Sequence, residues 1–230
     1  MTVDHRTTGT RLDRWSGGCW IAAGLLLVIG VAHPDVFETT FADAALNTPL
    51  WVPMHAAATV AAVLSLVGLA GLYAPRAERL GRLGAIGFAL AVPGLVMTAC
   101  VAYAEAFLLP VIARDTPEVF GWDGPVLTSW AIRLTTGLAL LWLVGYVLTG
   151  LALWRSGVVP RAAAVTLTLS AAAVIVLAGP LLPVLGPLST LALAAGYVWV
   201  GAAMWTGATA DVGTEPRRRH LHLPPSSRHV

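Results

Sequence analysis

Glu105 is the one charged residue between Leu83 and Ala113, in a stretch otherwise made of apolar, small and uncharged polar side chains. A carboxylic acid inside a bilayer costs several kcal/mol unless it is paired or hydrated, so its presence is a functional hypothesis by default. Glu105 lies about 12 Å along a helix from Ala113 at ~1.5 Å per residue. Thr98, seven residues earlier, falls on the same helix face and extends a polar strip toward mid-membrane. Three further ionisable groups lie toward the same side: His33 closes the first apolar run, His55 opens the second, and Arg133 stands about one turn into the fourth. The inner half of the spans holds no comparable group, so the four together are the sharpest chemical signal in the chain.

The chemistry open to them is proton transfer. Glu105 could act as a general acid and His55 or His33 could relay its proton. Thr98, Tyr103, Trp130 and Arg133 are candidate ligand contacts near this end. Trp142, Tyr146, Tyr197 and Trp199, deeper in two later helices, could line an apolar pocket and stabilise a cation with their ring faces. Each has a plainer reading beside it. Arg133 could snorkel to the interface or form a structural ion pair with Glu105, His33 could cap a helix in water, and the aromatic residues could simply pack. His33 and His55 could face one another as ligands, but no third ligand or spacing supports a metal or haem, and no cofactor is expected. His220 and His222 form a bare pair in a polar tail. Gly81, Gly84 and Gly87 have helix-packing spacing and no phosphate-loop pattern.

The elements that must position these residues follow from hydropathy and charge. Of the 230 residues, 57% are hydrophobic and only 11% charged, with a mean hydropathy of +0.76. Soluble domains carry about 25% charged residues. The fold class expected is therefore all-α, a polytopic membrane bundle. Six spans fit the apolar runs, at about 15–34, 51–74, 83–113, 129–154, 162–182 and 188–206. Leu83 to Ala113 would make about 46 Å of helix at ~1.5 Å per residue, longer than a ~30 Å hydrocarbon core, and Pro93 is expected to kink it.

All 14 basic residues are arginine. On this topology Arg6, Arg11, Arg14, Arg76, Arg79, Arg82, Arg155, Arg161, Arg217, Arg218, Arg219 and Arg228 share one side, leaving Arg114 and Arg133 on the other. The bias puts both termini in the cytoplasm. The acidic segments Asp35 to Asp43 and Asp115 to Asp123 then fall outside. Residues 1–14 read as a flexible cytoplasmic tail, and residues 208–230 as a disordered basic one. Spread over short loops, the arginines form no nucleic-acid surface. Trp51, Trp122 and Trp130 at one boundary, and Trp15, Trp20, Tyr73, Trp154 and Trp205 at the other, read as aromatic belts.

Gly30-Val31-Ala32 could pass for a signal-peptide cleavage site, but an uncleaved first span is the expectation. Cys19 and Cys100 are placed too far apart for a disulfide. The absence of lysine beside abundant Ala, Gly and Arg points to a GC-rich bacterial genome, hence a bacterial inner membrane. A faint repeat pairs Leu108-Leu-Pro-Val111 with Leu181-Leu-Pro-Val184 at the far ends of alternate helices.

The stretch His55 to Pro110, with Gly68-Leu-Ala-Gly-Leu-Tyr73, Gly81-Arg-Leu-Gly84, Gly87-Phe88 and Glu105-Ala-Phe-Leu-Leu-Pro110, resembles a group of uncharacterised bacterial six-helix membrane proteins. The resemblance implies the same topology and assigns no activity. The small integral-membrane terpene cyclases are similar in size and look to use buried carboxylic acids, without a shared motif here. The leading expectation is an outer-half pocket, centred on Glu105, for a lipophilic small molecule. The alternatives are an enzyme protonating an isoprenoid or lipid, a proton-linked transporter, or a non-catalytic subunit. Expected partners are membrane lipids, that small molecule, and a second copy or a membrane partner subunit, with no nucleic acid.

Overall fold

The computed structural model describes residues 5–33, 40–178, 182 and 184–208. Asp35, Glu38, residues 179–181 and 183 of the turn over 179–187, and the basic tail from residue 209, with His220 and His222, lie outside the described residues. Within them the chain is all-helical, with no strand. Five stretches are long and apolar enough to cross a membrane: Arg11–Ala32, Trp51–Asp115, Trp130–Ser156, Arg161–Ala178 and Leu185–Trp205.

The helices run in order as α1 (His5–Leu27), the short α2 (Phe41–Asn47), α3 (Trp51–Tyr73), α4 (Ala77–Tyr103), α5 (Leu109–Asp115), the single turn α6 (Pro125–Thr128), α7 (Trp130–Ala139), α8 (Leu141–Ser156), α9 (Arg161–Ala173) and α10 (Leu185–Trp205). The 65-residue stretch doubles back on itself, because His55 near its start meets Glu105 near its end. The reversal is made by a 3-10 turn at Ala74–Arg76 and by Gly81, whose φ of 59° only glycine adopts without strain.

Several boundaries differ from those expected. α1 begins at His5, so part of the presumed flexible tail is helix. Pro93 keeps helical backbone angles; the long run is interrupted instead at a π-turn over Ala104–Leu108, and Gly81 breaks the helix just before the run begins. The expected fourth span is broken at Leu140, where α7 ends and α8 begins.

Without a hydrophobic drive between helices in lipid, close packing depends on small residues at the crossings. α1 meets α10 where Gly17 and Gly201 bring their backbones together, and meets α3 where Gly68 receives the Trp20 ring. α4 meets α8 through Gly87, Ala91 and Gly94 against Gly145, Thr149 and Trp142. Of the three spaced glycines, only Gly87 serves this packing: Gly81 breaks the helix and Gly84 faces Leu80 of its own helix. The core centres on Trp20, Leu69, Leu143, Tyr146, Leu153, Leu167, Tyr197 and Met204.

Two tryptophans leave the expected belts. Trp20 and Trp51 are fully buried, whereas Trp15, Trp122, Trp130, Trp154 and Trp205 are exposed. A buried indole needs an acceptor for its N–H, and each of the two has one: Ser65 O at 3.0 Å for Trp20 and Glu105 O at 2.7 Å for Trp51.

Candidate functional site

At one end of the bundle α3 and the π-turn after α4 bring Trp51, His55 and Glu105 together, with His33 beside them. α3 can start at Trp51 despite Pro53, since the first four N–H groups of a helix have no partner inside it. From there His55 follows Trp51 by one turn. Its Nδ1 lies 2.8 Å from the Trp51 carbonyl, and only an N–H can meet that oxygen, so Nδ1 carries the proton. Nε2 is thereby turned toward Glu105, 3.4 Å from Oε2. The His33 ring sits edge-on to His55 with centroids 5.5 Å apart and tilted against Trp51 at 5.8 Å.

The π-turn has a readable cause. The Leu109 N–H reaches back to Ala104 O, five residues away, and the donor five residues beyond Glu105 would be Pro110, which has none. The Glu105 carbonyl is left to the Trp51 indole, which donates to it at 2.7 Å. The extra residue in the turn also aims the carboxyl at His55. The Glu105 side chain is 31% exposed, against 7% for His55.

The other candidates lie elsewhere. Arg133 does not pair with Glu105. It is exposed on α7, and its Nε donates to Leu127 O at 3.0 Å. Tyr103 and Trp130 face outward at 51% and 77% exposure, and Tyr103 rests against Phe107. Trp142, Tyr146 and Tyr197 gather around Trp20 and Ser65 in the core. Ser65 is ten residues along α3 from His55, about 15 Å at 1.5 Å per residue. These rings pack on one another, with Tyr146 and Tyr197 fully buried. An apolar groove of about 500 Å³ does exist, but it runs between α1 and α10 along Gly24, Val28, Ala194, Val198 and Trp199, away from Glu105.

Thr98 is a staple. Its hydroxyl is within reach of Gly94 O at 2.9 Å and Ala139 O at 3.1 Å. Ala139 is available because the break at Leu140 gives the Leu143 N–H to Leu140 O. Thr98→Val is expected to lower stability by about 1 kcal/mol, measured by thermal unfolding in detergent. A variant of full stability would show that the α7–α8 break does not need this donor.

The chain matches no protein-family model, no curated protein and no solved structure. The site therefore stands on its own geometry. Among the described residues, no group of three or more His, Cys, Asp and Glu side chains could hold a metal ion.

Reading from sequence missed two features. Trp51 passed for a belt residue, although Pro110 two positions past the π-turn signals a helix defect beside Glu105. At the opposite end, Arg76 is buried and its Nη2 pairs with Asp13 Oδ2 at 2.7 Å, so that end also holds a buried charge pair. The short sequence between Tyr73 and Leu83 reads as a cytoplasmic loop; within it Arg76 alone of the arginines is buried, against Asp13 of α1, while Glu78, Arg79 and Arg82 stay exposed.

Proposed function

We propose that this chain is a six-span membrane protein of a bacterial inner membrane, with both termini cytoplasmic, that holds a lipophilic small molecule in the outer half of the membrane at the Glu105–His55 pair. The observation that carries this reading is the Nε2–Oε2 approach of 3.4 Å in a span with no other charge. Side-chain exposure of Glu105 supports entry from the flank of the bundle. The six-span count is supported by the doubling back of Trp51–Asp115, and the orientation by the arginine bias.

A second reading draws on the fixed tautomer. With Nδ1 committed to Trp51 O, a neutral pair has one proton to place between Nε2 and Oε2, which suits proton-linked transport or general-acid catalysis. The terpene-cyclase form of that reading is the weaker one, since the rings meant to guide a cation pack together in the core. A non-catalytic subunit would instead bring a stoichiometric membrane partner through purification.

Mass spectrometry of molecules that co-purify in mild detergent tests the proposal. Wild type should carry a lipophile that Glu105→Gln loses at least tenfold, with the fold intact. Identical content in the two proteins, or none in either, would overturn it.

A further inference from the structure

We infer that Trp51 is the positioning residue of the acid–histidine pair, its side chain holding Glu105 in place and its backbone carbonyl setting the tautomer of His55. The inference rests on the pair proposed above. Both halves of that pair are tied to this one residue. The indole N–H donates to Glu105 O at 2.7 Å, and Trp51 O accepts the His55 Nδ1–H at 2.8 Å. Trp51 is 1% exposed and packs on His55 with ring centroids 4.3 Å apart, so neither tie is open to exchange with solvent.

The two ties act on different atoms and can be separated. Glu105 sits in a π-turn, a helical defect that survives only where its stray carbonyl finds a donor. Removing the indole N–H withdraws that donor, and the turn then has reason to relax toward an α-helical register that rotates the carboxyl away from Nε2. His55 loses nothing by this, because its own tie is to the main chain. Replacing Pro110 by a residue with an N–H reaches the same end without touching Trp51: it returns a donor to the helix, in competition with the indole.

Nitrogen-15 NMR of the full chain, labelled at histidine and held in detergent or a lipid disc, reads this directly, with His55 assigned by difference against His55→Gln. In wild type Nδ1 should be protonated, and Nε2 should carry a shift that Glu105→Gln changes. Trp51→Phe keeps the ring and removes the donor. It should move Nε2 most of the way to its Glu105→Gln position while leaving Nδ1 unmoved, and Pro110→Ala should do the same. A merely structural Trp51 would lower stability without that selective shift.

Wild-type Nε2 positions in both Trp51→Phe and Pro110→Ala would overturn the role of Trp51 and leave the pair standing. An Nε2 resonance that Glu105→Gln fails to move would overturn the pair itself. Should Trp51→Phe not fold, Pro110→Ala carries the test alone.

Discussion

Arg76→Ala is expected to cost about 3–5 kcal/mol of stability, the usual penalty for removing one partner of a buried ion pair. Arg76 is 4% exposed, with Nη2 on Asp13 at 2.7 Å and Nη1 donating to Leu72 O at 3.3 Å. Its loss strands the Asp13 carboxylate, whose Oδ1 is already buried without a hydrogen bond. The expense comes from the stranded charge more than from the lost attraction. Replacing both residues together, as in Asp13→Leu with Arg76→Met, should therefore recover most of the loss. Thermal and denaturant unfolding in one detergent would measure all three proteins. A single variant as stable as wild type would show that water reaches Asp13.

Gly145→Val should be as damaging, for a steric reason. A Cβ at Gly145 would stand 2.5 Å from the Ala91 amide nitrogen and 2.6 Å from Gly87 O. Both are backbone atoms, so no rotamer change relieves the clash and α8 must move off α4. Overpacking commonly costs about 1–3 kcal/mol, and backbone neighbours put this site at or above the upper end. Since α4 carries Glu105 beyond its end, the shift should also disturb the pair with His55. Gly137→Ala is the matched control: nothing lies within 4 Å of the added methyl on α7. It should be neutral, or stabilising by about 0.5–1 kcal/mol. Equal unfolding temperatures for Gly145→Val and wild type would mean that the α4–α8 contact is looser than its glycines imply.

Much of this architecture was legible in the chain. Long apolar runs dictate helices, and a lone carboxylate in one of them marks a place where the protein must provide a partner. The pairing of Glu105 with histidine followed from both lying toward one end of their helices. Arg133 misled because spacing along a helix says nothing about rotation around it: the guanidinium turns back to Leu127 O within its own segment. Thr98 misled in the same way, pointing across to the broken end of α7. Hydropathy cannot distinguish a tryptophan at a lipid boundary from one in the core, since both ends of the ring suit either place. For Trp51 the discriminating sign was the missing amide of Pro110. In the sequence, Pro180 stands two positions past the second π-turn, Val174–Ala178, the same spacing as Pro110 after the first.

The pairing of α1 with α10 bears on how the protein is made. Gly17 and Gly201 put the first described helix and the last into backbone contact, and Trp20 of α1 stacks on Tyr197 of α10 at 5.3 Å. On a ribosome these surfaces are separated by the synthesis of every helix between α1 and α10. The intervening helices can insert and pair as they emerge, but the face of α1 that carries Gly17, Trp20 and Gly24 must stay in lipid without its mate until α10 arrives. The core is thus incomplete until α10 joins α1, and a nascent chain stalled short of α10 would display an uncovered glycine-lined seam to whatever surveys the membrane.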